Sequence, residues 1–515
     1  MLKAPLSWLA ALAGWRAHAA AAALGLLSAL ALPPLHVLPV LLLAVPGLLA
    51  LIGGAPTFRA ALLRGFWFGF AHHLLGLYWL TDAILIEAAR YWWLVPLAVP
   101  ALSLVLAPFI AVACGVARLA RPGWRRAFVL AGAWVLTDLV RQFIFTGFPW
   151  NPWGADWAVP GGFGDIFIQS AAWVGVHGLT LATLLVAATP ALGRRAMTLG
   201  LAGVVAWGGF GMWRLAAPPP PAPGVAVVLV QGNVAQGEKW DRSRAIAIFR
   251  HYLALTREGL ARAREQAPDA RQVVIWPESA SPFLADSDKA AREAIADAAG
   301  GASALIGTVR FPPDERPRNS LIDLTGPGAP VAIYDKWHLV PFGEYSPGWV
   351  PLAVQLVRGG GFVPGPGPQT LRLPGLPPAG PLICYEAIFP GEVVDEADRP
   401  DWMVNVTNDA WFGNSTGPRQ HLAAARLRAV EEGLPLVRAA NTGISAAFDA
   451  YGREQGRLGM GVAGTVVVAL QGKVAPPPFA RFGLVIPGAL AAIVLLGGFA
   501  RTPRFHNRER QLDRI

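Results

Sequence analysis

The apolar residues of this chain are segregated along its length. They crowd into the first 215 positions and one late segment, 482–499, whereas residues 222–478 have the mixed make-up of an ordinary globular domain. About 20 predominantly apolar residues are needed to cross a bilayer core. Candidate spans lie near 17–32, 36–53, 62–81, 92–117, 127–145, 166–189, 196–213 and 482–499. Only Pro33, Pro34 and Leu35 separate the first two, which read either as a tight hairpin of two spans or as one broken span. Apolar segment follows apolar segment without a clean cleavage pattern, so the N-terminus does not read as a removable signal peptide. The expected organisation is a membrane region of seven helices over 1–218, a soluble insert over 222–478, and a final span with a basic tail over 479–515.

Arginine and lysine in short loops favour the cytoplasmic side. Lys3 and Arg16 precede the first span, and Arg59 and Arg64 flank the second-to-third loop. Arg118, Arg121, Arg125 and Arg126 follow the fourth span, Arg194 and Arg195 the sixth, and Arg501, Arg504, Arg508, Arg510 and Arg514 form the tail. The alternate loops carry Arg90 with Asp82 and Glu87, and Arg141 with Asp156 and Asp165. With eight spans, both termini are expected in the cytoplasm and the insert on the outer side of a bacterial inner membrane, in the periplasm. The net charge of +10 is spread through these loops, with no basic-aromatic face of the kind nucleic acid requires, so no nucleic-acid partner is expected. Trp150, Trp153 and Trp157 fall on the outer side. They read first as an interfacial aromatic belt, and alternatively as the lining of a lipid route beneath the outer domain.

An alanine–proline linker over 216–223 separates the membrane region from the insert. Beyond it, short apolar runs at 225–230, 272–276, 304–309, 331–334, 381–384, 402–406, 436–439 and 444–448 alternate in part with helical stretches at 242–266, 287–299 and 418–432. Strands so uniformly apolar are buried on both faces, which predicts helices layered over sheets in an α/β domain. Three of these strands end on reactive groups: Trp276-Pro277-Glu278, Tyr334-Asp335-Lys336 and Ile383-Cys384-Tyr385-Glu386. Taken singly, Glu278 reads as a solvated loop residue, Lys336 as a partner for Asp335, and Cys384 as an inert core thiol. The only other cysteine, Cys114, lies in an apolar segment and reads as membrane-core packing.

Together the three residues form a chemical set. A thiol needs a base to become a nucleophile, and a carboxylate whose proton affinity is raised by desolvation suits that task. Attack on an ester or amide carbonyl builds an oxyanion that a fixed cation can stabilise. Glu278, Lys336 and Cys384 thus read as base, oxyanion cation and nucleophile of acyl transfer through a thioester. No metal or cofactor is implied. His338 and His421 lack companion ligands at useful spacing, and His72-His73 lies within a candidate span.

The segments Trp276-Pro277-Glu278, Lys336-Trp337-His338-Leu339-Val340-Pro341-Phe342-Gly343-Glu344 and Cys384-Tyr385-Glu386 resemble, in order, the Glu-Lys-Cys motifs of the nitrilase superfamily. Gln231-Gly232-Asn233, Lys239-Trp240 and Asn405-Val406-Thr407-Asn408-Asp409-Ala410-Trp411-Phe412 are similar to its membrane-embedded acyltransferase branch. The resemblance implies a multi-span α-helical membrane domain carrying a nitrilase-like αββα sandwich. It also implies a membrane phospholipid as acyl donor, and as acceptor the α-amine of a diacylglyceryl-cysteine on an apolipoprotein. Glu344, Tyr385 and Glu386 would support the site, Glu344 by orienting Lys336, and Trp240 would lie on a mobile loop over the entrance. Two other readings share these residues: a membrane-tethered amidase that passes the acyl group to water, and a transporter or sensor with a degenerate domain of this kind.

Overall fold

The computed structural model describes residues 3–86, 88–239, 241–346 and 361–500. Glu87, Trp240 and the five tail arginines lie outside the described residues.

The strands of the insert are β1 (Val225–Gln231), β2 (Arg271–Ile275), β3 (Ser303–Arg310), β4 (Arg318–Asp323), β5 (Ala332–Asp335), β6 (Ala379–Ile383), β7 (Trp402–Thr407), β8 (Leu436–Ala440), β9 (Ser445–Phe448), β10 (Glu454–Leu458) and β11 (Gly464–Ala469). They form two mixed sheets, ordered β11-β1-β2-β3-β4-β5 and β10-β9-β8-β7-β6. In β1, Val225, Val227 and Leu229 face the second sheet, while Ala226, Val228 and Val230 face the helices Ala245–Gln266 and Lys289–Ala299. Both faces are buried, so the strand is apolar at nearly every position. On the far side, Leu382, Met403 and Leu436 of the second sheet pack against Leu422, Ala425 and Ala429 of the helix Gly417–Glu432. The result is the expected αββα layering.

Among the described residues, three helices are long and apolar enough to cross a membrane: Ala88–Leu119, Gly162–Leu192 and Arg194–Leu215. Leu38–Gly54 and Val485–Phe499 are shorter apolar helices. The 17–53 region contains two helical pieces, Gly14–Ala29 and Leu41–Gly54, rather than one continuous rod. Close approach through small residues holds these helices together. A Cβ on Gly25 would stand 2.1 Å from the Phe68 carbonyl oxygen, and one on Gly65 would stand 2.7 Å from the Cys114 sulfur. Cys114 is fully buried in this core, as its packing role requires.

The three tryptophans do not form a belt facing lipid. Trp150, Trp153 and Trp157 are all buried. Trp150 sits 4.8 Å from the Trp79 ring and 5.5 Å from that of His421, between the helices and the sandwich. Such a belt needs rings at the headgroup level; these are consumed by protein contacts.

The helix Gly417–Glu432 is the seam between the two parts, and packing on both sides erases its amphipathic pattern. Its Gln420 makes five hydrogen bonds to the bundle side. The Oε1 atom accepts from Trp79 Nε1, Trp150 Nε1 and Asn151 Nδ2 at 2.9–3.0 Å, and Nε2 donates to the Pro33 and Gly76 carbonyls. At the other end of the helix, Glu431 Oε1 accepts the Val176 N–H at 2.7 Å, where Gly175 breaks a membrane-region helix with φ 65°. Gln420→Leu would strand two buried indole N–H groups, and unpaired buried donors cost about 1–3 kcal/mol each. The expected outcome is a fall in stability of about 2–5 kcal/mol, read as a lower thermal transition in detergent.

Candidate active site

Each expected catalytic residue leaves the end of a strand. Beyond β2, Trp276 and Pro277 lead to Glu278, and this turn lies directly on Gly307 of β3. A Cβ there would come within 2.0 Å of the Pro277 carbonyl oxygen, so only glycine permits the approach. Lys336 follows β5 directly, its N–H donating to the Asn319 carbonyl at 2.8 Å. Cys384 follows β6 and opens the short 3-10 turn Cys384–Ile388 with φ 51°. A left-handed non-glycine residue costs of order 1–3 kcal/mol, and such residues cluster at functional sites; Ser279, beside Glu278, is another, at φ 46°.

Glu386 holds the Cys384 turn in place. Its Oε2 accepts the Ile383 N–H at 2.6 Å, and its Oε1 accepts from Tyr334 Oη at 2.9 Å and from the Trp337 and His338 N–H groups at 2.8 and 3.3 Å. One carboxylate thereby ties the strand end bearing Cys384 to the one bearing Lys336. Tyr385 reaches the other way, donating to the Gly147 carbonyl of the bundle at 2.9 Å.

Lys336 is 1% exposed and lies between two carboxylates. Its Nζ stands 3.3 Å from Glu278 Oε1 and 2.9 Å from Glu344 Oε1. Asn319 Nδ2 donates to both carboxylates, at 2.7 and 3.0 Å. The Asn408 N–H completes Glu278, and the Val340 N–H completes Glu344, each at 2.8 Å. Lys336 is therefore not the partner of Asp335, which is held by Arg310 at 2.8 and 2.5 Å and by Ser320 at 2.6 Å. Nor is Glu278 a solvated loop residue.

The electrostatics follow from this packing. Burial lowers the proton affinity of Lys336, but Glu278 and Glu344 outweigh it and hold the ammonium well above its ordinary pKa. Burial alone would raise Glu278; Lys336, Lys239 and the Asn319 amide reverse that and keep its carboxyl below the usual value. Desolvation therefore does not make this carboxylate the stronger base expected from sequence, because two lysines stand beside it. Lys239 donates to the Glu278 carbonyl at 3.0 Å and is itself brought down to about 8 by burial, against the pull of Glu278. Burial pushes the Cys384 thiol up, and the charge of Glu278 adds to this, against Lys336 and a hydrogen bond with Thr407. At rest the site holds a neutral thiol beside an ionised carboxylate.

Behind the thiol lies a second polar group. His421 Nε2 donates to the Cys384 carbonyl at 2.9 Å, and Nδ1 lies 3.1 Å from Arg438 Nη2 and 2.9 Å from Asp409 Oδ1. Burial and Arg438 lower the His421 pKa against Asp409. Asp409 also takes Arg438 Nη2 at 2.7 Å and the Thr407 hydroxyl at 3.1 Å. Cys384, Asp409 and His421 place ligand-type atoms within 4.8 Å of one another. The imidazole and carboxylate are already engaged in hydrogen bonds, which makes the group a support for the Cys384 turn rather than an open ligand set.

Two family models match the chain: the apolipoprotein N-acyltransferase N-terminal domain over residues 24–189, and carbon-nitrogen hydrolase over 227–478. The apolipoprotein N-acyltransferase of Rhodopseudomonas palustris is 38% identical over 94% of this chain and 95% of its own length. That of Bradyrhizobium diazoefficiens is 39% identical over 94% of each. This chain belongs to the apolipoprotein N-acyltransferase family. A solved nitrilase-superfamily amidase from Nesterenkonia is 22% identical over 49% of this chain and 93% of its own, with a TM-score of 0.35.

In this member of the apolipoprotein N-acyltransferase family, the structure brings Glu278, Lys336, Cys384, Glu344 and Glu386 together, with Tyr385 alongside. Asn319, His421 and Arg438 were missed as site residues, and Asn408 and Asp409 were legible only as parts of a motif. Asn319 sits in the polar strand β4, which pattern alone does not reveal, and Arg438 is a fully buried charge inside an apolar run.

The two charges flanking the thiol act on it with opposite sign, which iodoacetamide alkylation of Cys384 can read across pH. Glu278→Gln is expected to move the alkylation midpoint to lower pH, and Lys336→Met to move it higher. Shifts of the same sign in both variants would contradict the charge assignment.

Proposed function

We propose that this chain is a phospholipid-dependent apolipoprotein N-acyltransferase in which Glu278, Lys336 and Cys384 carry the chemistry. The observation that carries this reading is the convergence of a thiol, an ionised carboxylate and a buried ammonium at three strand ends, in a sandwich packed onto apolar helices. The Cys384 sulfur attacks an ester carbonyl of the phospholipid as its proton passes to Glu278. Lys336 faces the oxyanion that develops. Collapse breaks the ester C–O bond, the proton returns from Glu278 to the departing lysophospholipid oxygen, and the acyl chain remains as a thioester. The α-amine of the diacylglyceryl-cysteine then attacks the thioester, giving an amide and restoring the thiol. Glu344 and Asn319 orient Lys336, and Glu386 and Tyr385 fix the nucleophile turn. Family membership favours this transfer over hydrolysis by the same triad.

The same reading places eight spans in the bacterial inner membrane, both termini in the cytoplasm and the 222–478 domain in the periplasm. The arginine distribution between loops supports this orientation. Trp240, outside the described residues, would act at the entrance.

Intact mass after incubation with phospholipid alone tests donor and nucleophile together: one added acyl group on Cys384 is expected. Cys384→Ala should abolish both the adduct and turnover, and an acyl adduct recovered elsewhere on that variant would sink the assignment. Lys336→Met should slow thioester formation by about 10²–10³. Free fatty acid as the sole product with phospholipid and a diacylated lipopeptide would support the hydrolase instead.

A further inference from the structure

The two carboxylate oxygens of Glu278 are not equally engaged. Oε1 accepts from Asn319 Nδ2 at 2.7 Å and from Lys336 Nζ at 3.3 Å, whereas Oε2 accepts the Asn408 N–H at 2.8 Å. A carboxylate offers about two lone-pair directions on each oxygen. Among the described residues, donors fill both directions at Oε1 and one at Oε2. The remaining direction at Oε2 is the one open to a thiol proton.

Asn408 aims that oxygen, and its side chain is held from both sides. Nδ2 donates to Gln236 Oε1 at 2.7 Å, and Oδ1 accepts from Asn441 Nδ2 at 3.0 Å. Asn441, just past β8, uses all of its polar atoms. Its Nδ2 also donates to the Val234 carbonyl at 2.7 Å, and its Oδ1 accepts the Val234 N–H at 3.0 Å and Tyr252 Oη at 3.2 Å. Its own N–H donates to the Thr407 carbonyl at 3.1 Å, and its carbonyl accepts the Asn233 N–H at 2.9 Å. Gln236, Asn408 and Asn441 are all buried, and a buried polar network so fully matched specifies one arrangement. Lys239, three residues past Gln236, donates to the main-chain carbonyl of Glu278 at 3.0 Å. The segment 234–239 therefore grips the base twice, at its main chain and, through Asn408, at Oε2.

We propose that Glu278 Oε2 receives the Cys384 proton, and that Asn441, Asn408 and Gln236 are positioning residues that aim this oxygen. The S–H bond breaks as the sulfur–carbon bond forms, the proton moves to Oε2, and from there it passes to the departing lysophospholipid oxygen. Oε1 stays on Lys336 and Asn319 throughout, so one carboxylate holds the cation and takes the proton without rotating. The charged groups facing the base are Lys336 beyond β5 and Lys239; those facing the thiol are Glu278, Lys336 and Asp409.

This inference rests on the acyltransferase reading, and the test separates the two. Single-turnover thioester formation on Cys384 from phosphatidylethanolamine in detergent micelles is followed across pH by quenched intact mass, which gives an amplitude and a rate. The amplitude counts folded protein, and the rate reads the base. Asn441→Ala removes the donor to Asn408 Oδ1, and the milder Gln236→Met removes the acceptor of Asn408 Nδ2. A hydrogen bond to the charged form of a carboxylate lowers its pKa, so loosening the Asn408 N–H raises that of Glu278. The acidic limb of the rate profile is expected to move up by about half a pH unit in both variants. The rate itself should fall about tenfold, a part of the roughly 10²–10⁴ that a positioned base supplies. A lower amplitude with rate and acidic limb unchanged would make these amides purely structural. That result, or a full-amplitude variant with unchanged rate, would overturn the proposal and leave the acyltransferase reading standing. No thioester from phospholipid in the unsubstituted protein at any pH would overturn both.

Discussion

The structure of this site depends on a buried ammonium. Lys336 is removed from water almost entirely, and an isolated charge so placed would be driven to its neutral form. It remains charged because Glu278 and Glu344 stand within 3.3 and 2.9 Å. Those contacts force three chain segments to meet: the turn after β2, the end of β5 and the loop eight residues beyond it. Asn319 then satisfies both carboxylates with one amide. A buried pair of this kind is weak evidence for stability, since apolar replacements often serve as well. Its persistence here is better explained by the chemistry it prepares.

The Cys384 turn is fixed by a different device, and that device reaches the membrane-region helices. Glu386 secures one side of the Cys384 turn through backbone N–H groups, and His421 secures the other through the Cys384 carbonyl. His421 is the neighbour of Gln420, which is hydrogen-bonded to three side chains and two carbonyls of the bundle. Tyr385 makes a second direct link, to Gly147. The strained thiol is thus referenced to the helices as well as to its own sheets. This fixes the position of the thiol relative to the membrane-region helices, which the sandwich alone could not do.

Sequence exposed what depends on local pattern. A buried strand such as β1 is apolar at nearly every position, so its end, and the residues just past it, could be placed by inspection. β4 and β10 could not: one reads Arg-Asn-Ser-Leu-Ile-Asp, the other is a largely exposed edge, and neither alternates in a way that marks a strand. β11 did carry a signal in Val466-Val467-Val468, which went unread. Asn319 escaped along with β4. The seam helix was visible as a helix, but nothing in it showed that both its sides are covered, so His421 was judged by spacing alone. Trp150, Trp153 and Trp157 differ from expectation for a related reason: a ring at the end of a span is equally suited to lipid and to a protein neighbour, and only tertiary packing decides.

The proton affinity of Glu278 also differs from the one its burial predicts, which changes how the proposed chemistry runs. A carboxylate in an apolar pocket would be a strong base holding its proton firmly. Glu278 instead faces Lys336 and Lys239 and accepts N–H groups from Asn319 and Asn408, all of which favour its charged form. Cys384, meanwhile, is held as a thiol by burial and by that same negative charge. The proton therefore lies on sulfur at rest, and the thiolate is not a standing species. In the proposed reaction, transfer becomes favourable only when a carbonyl approaches and begins to take up negative charge beside Lys336. A thiol that stays protonated until its substrate arrives is protected from adventitious electrophiles and oxidants. That protection suits a reaction in which the nucleophile must wait in turn for two lipids.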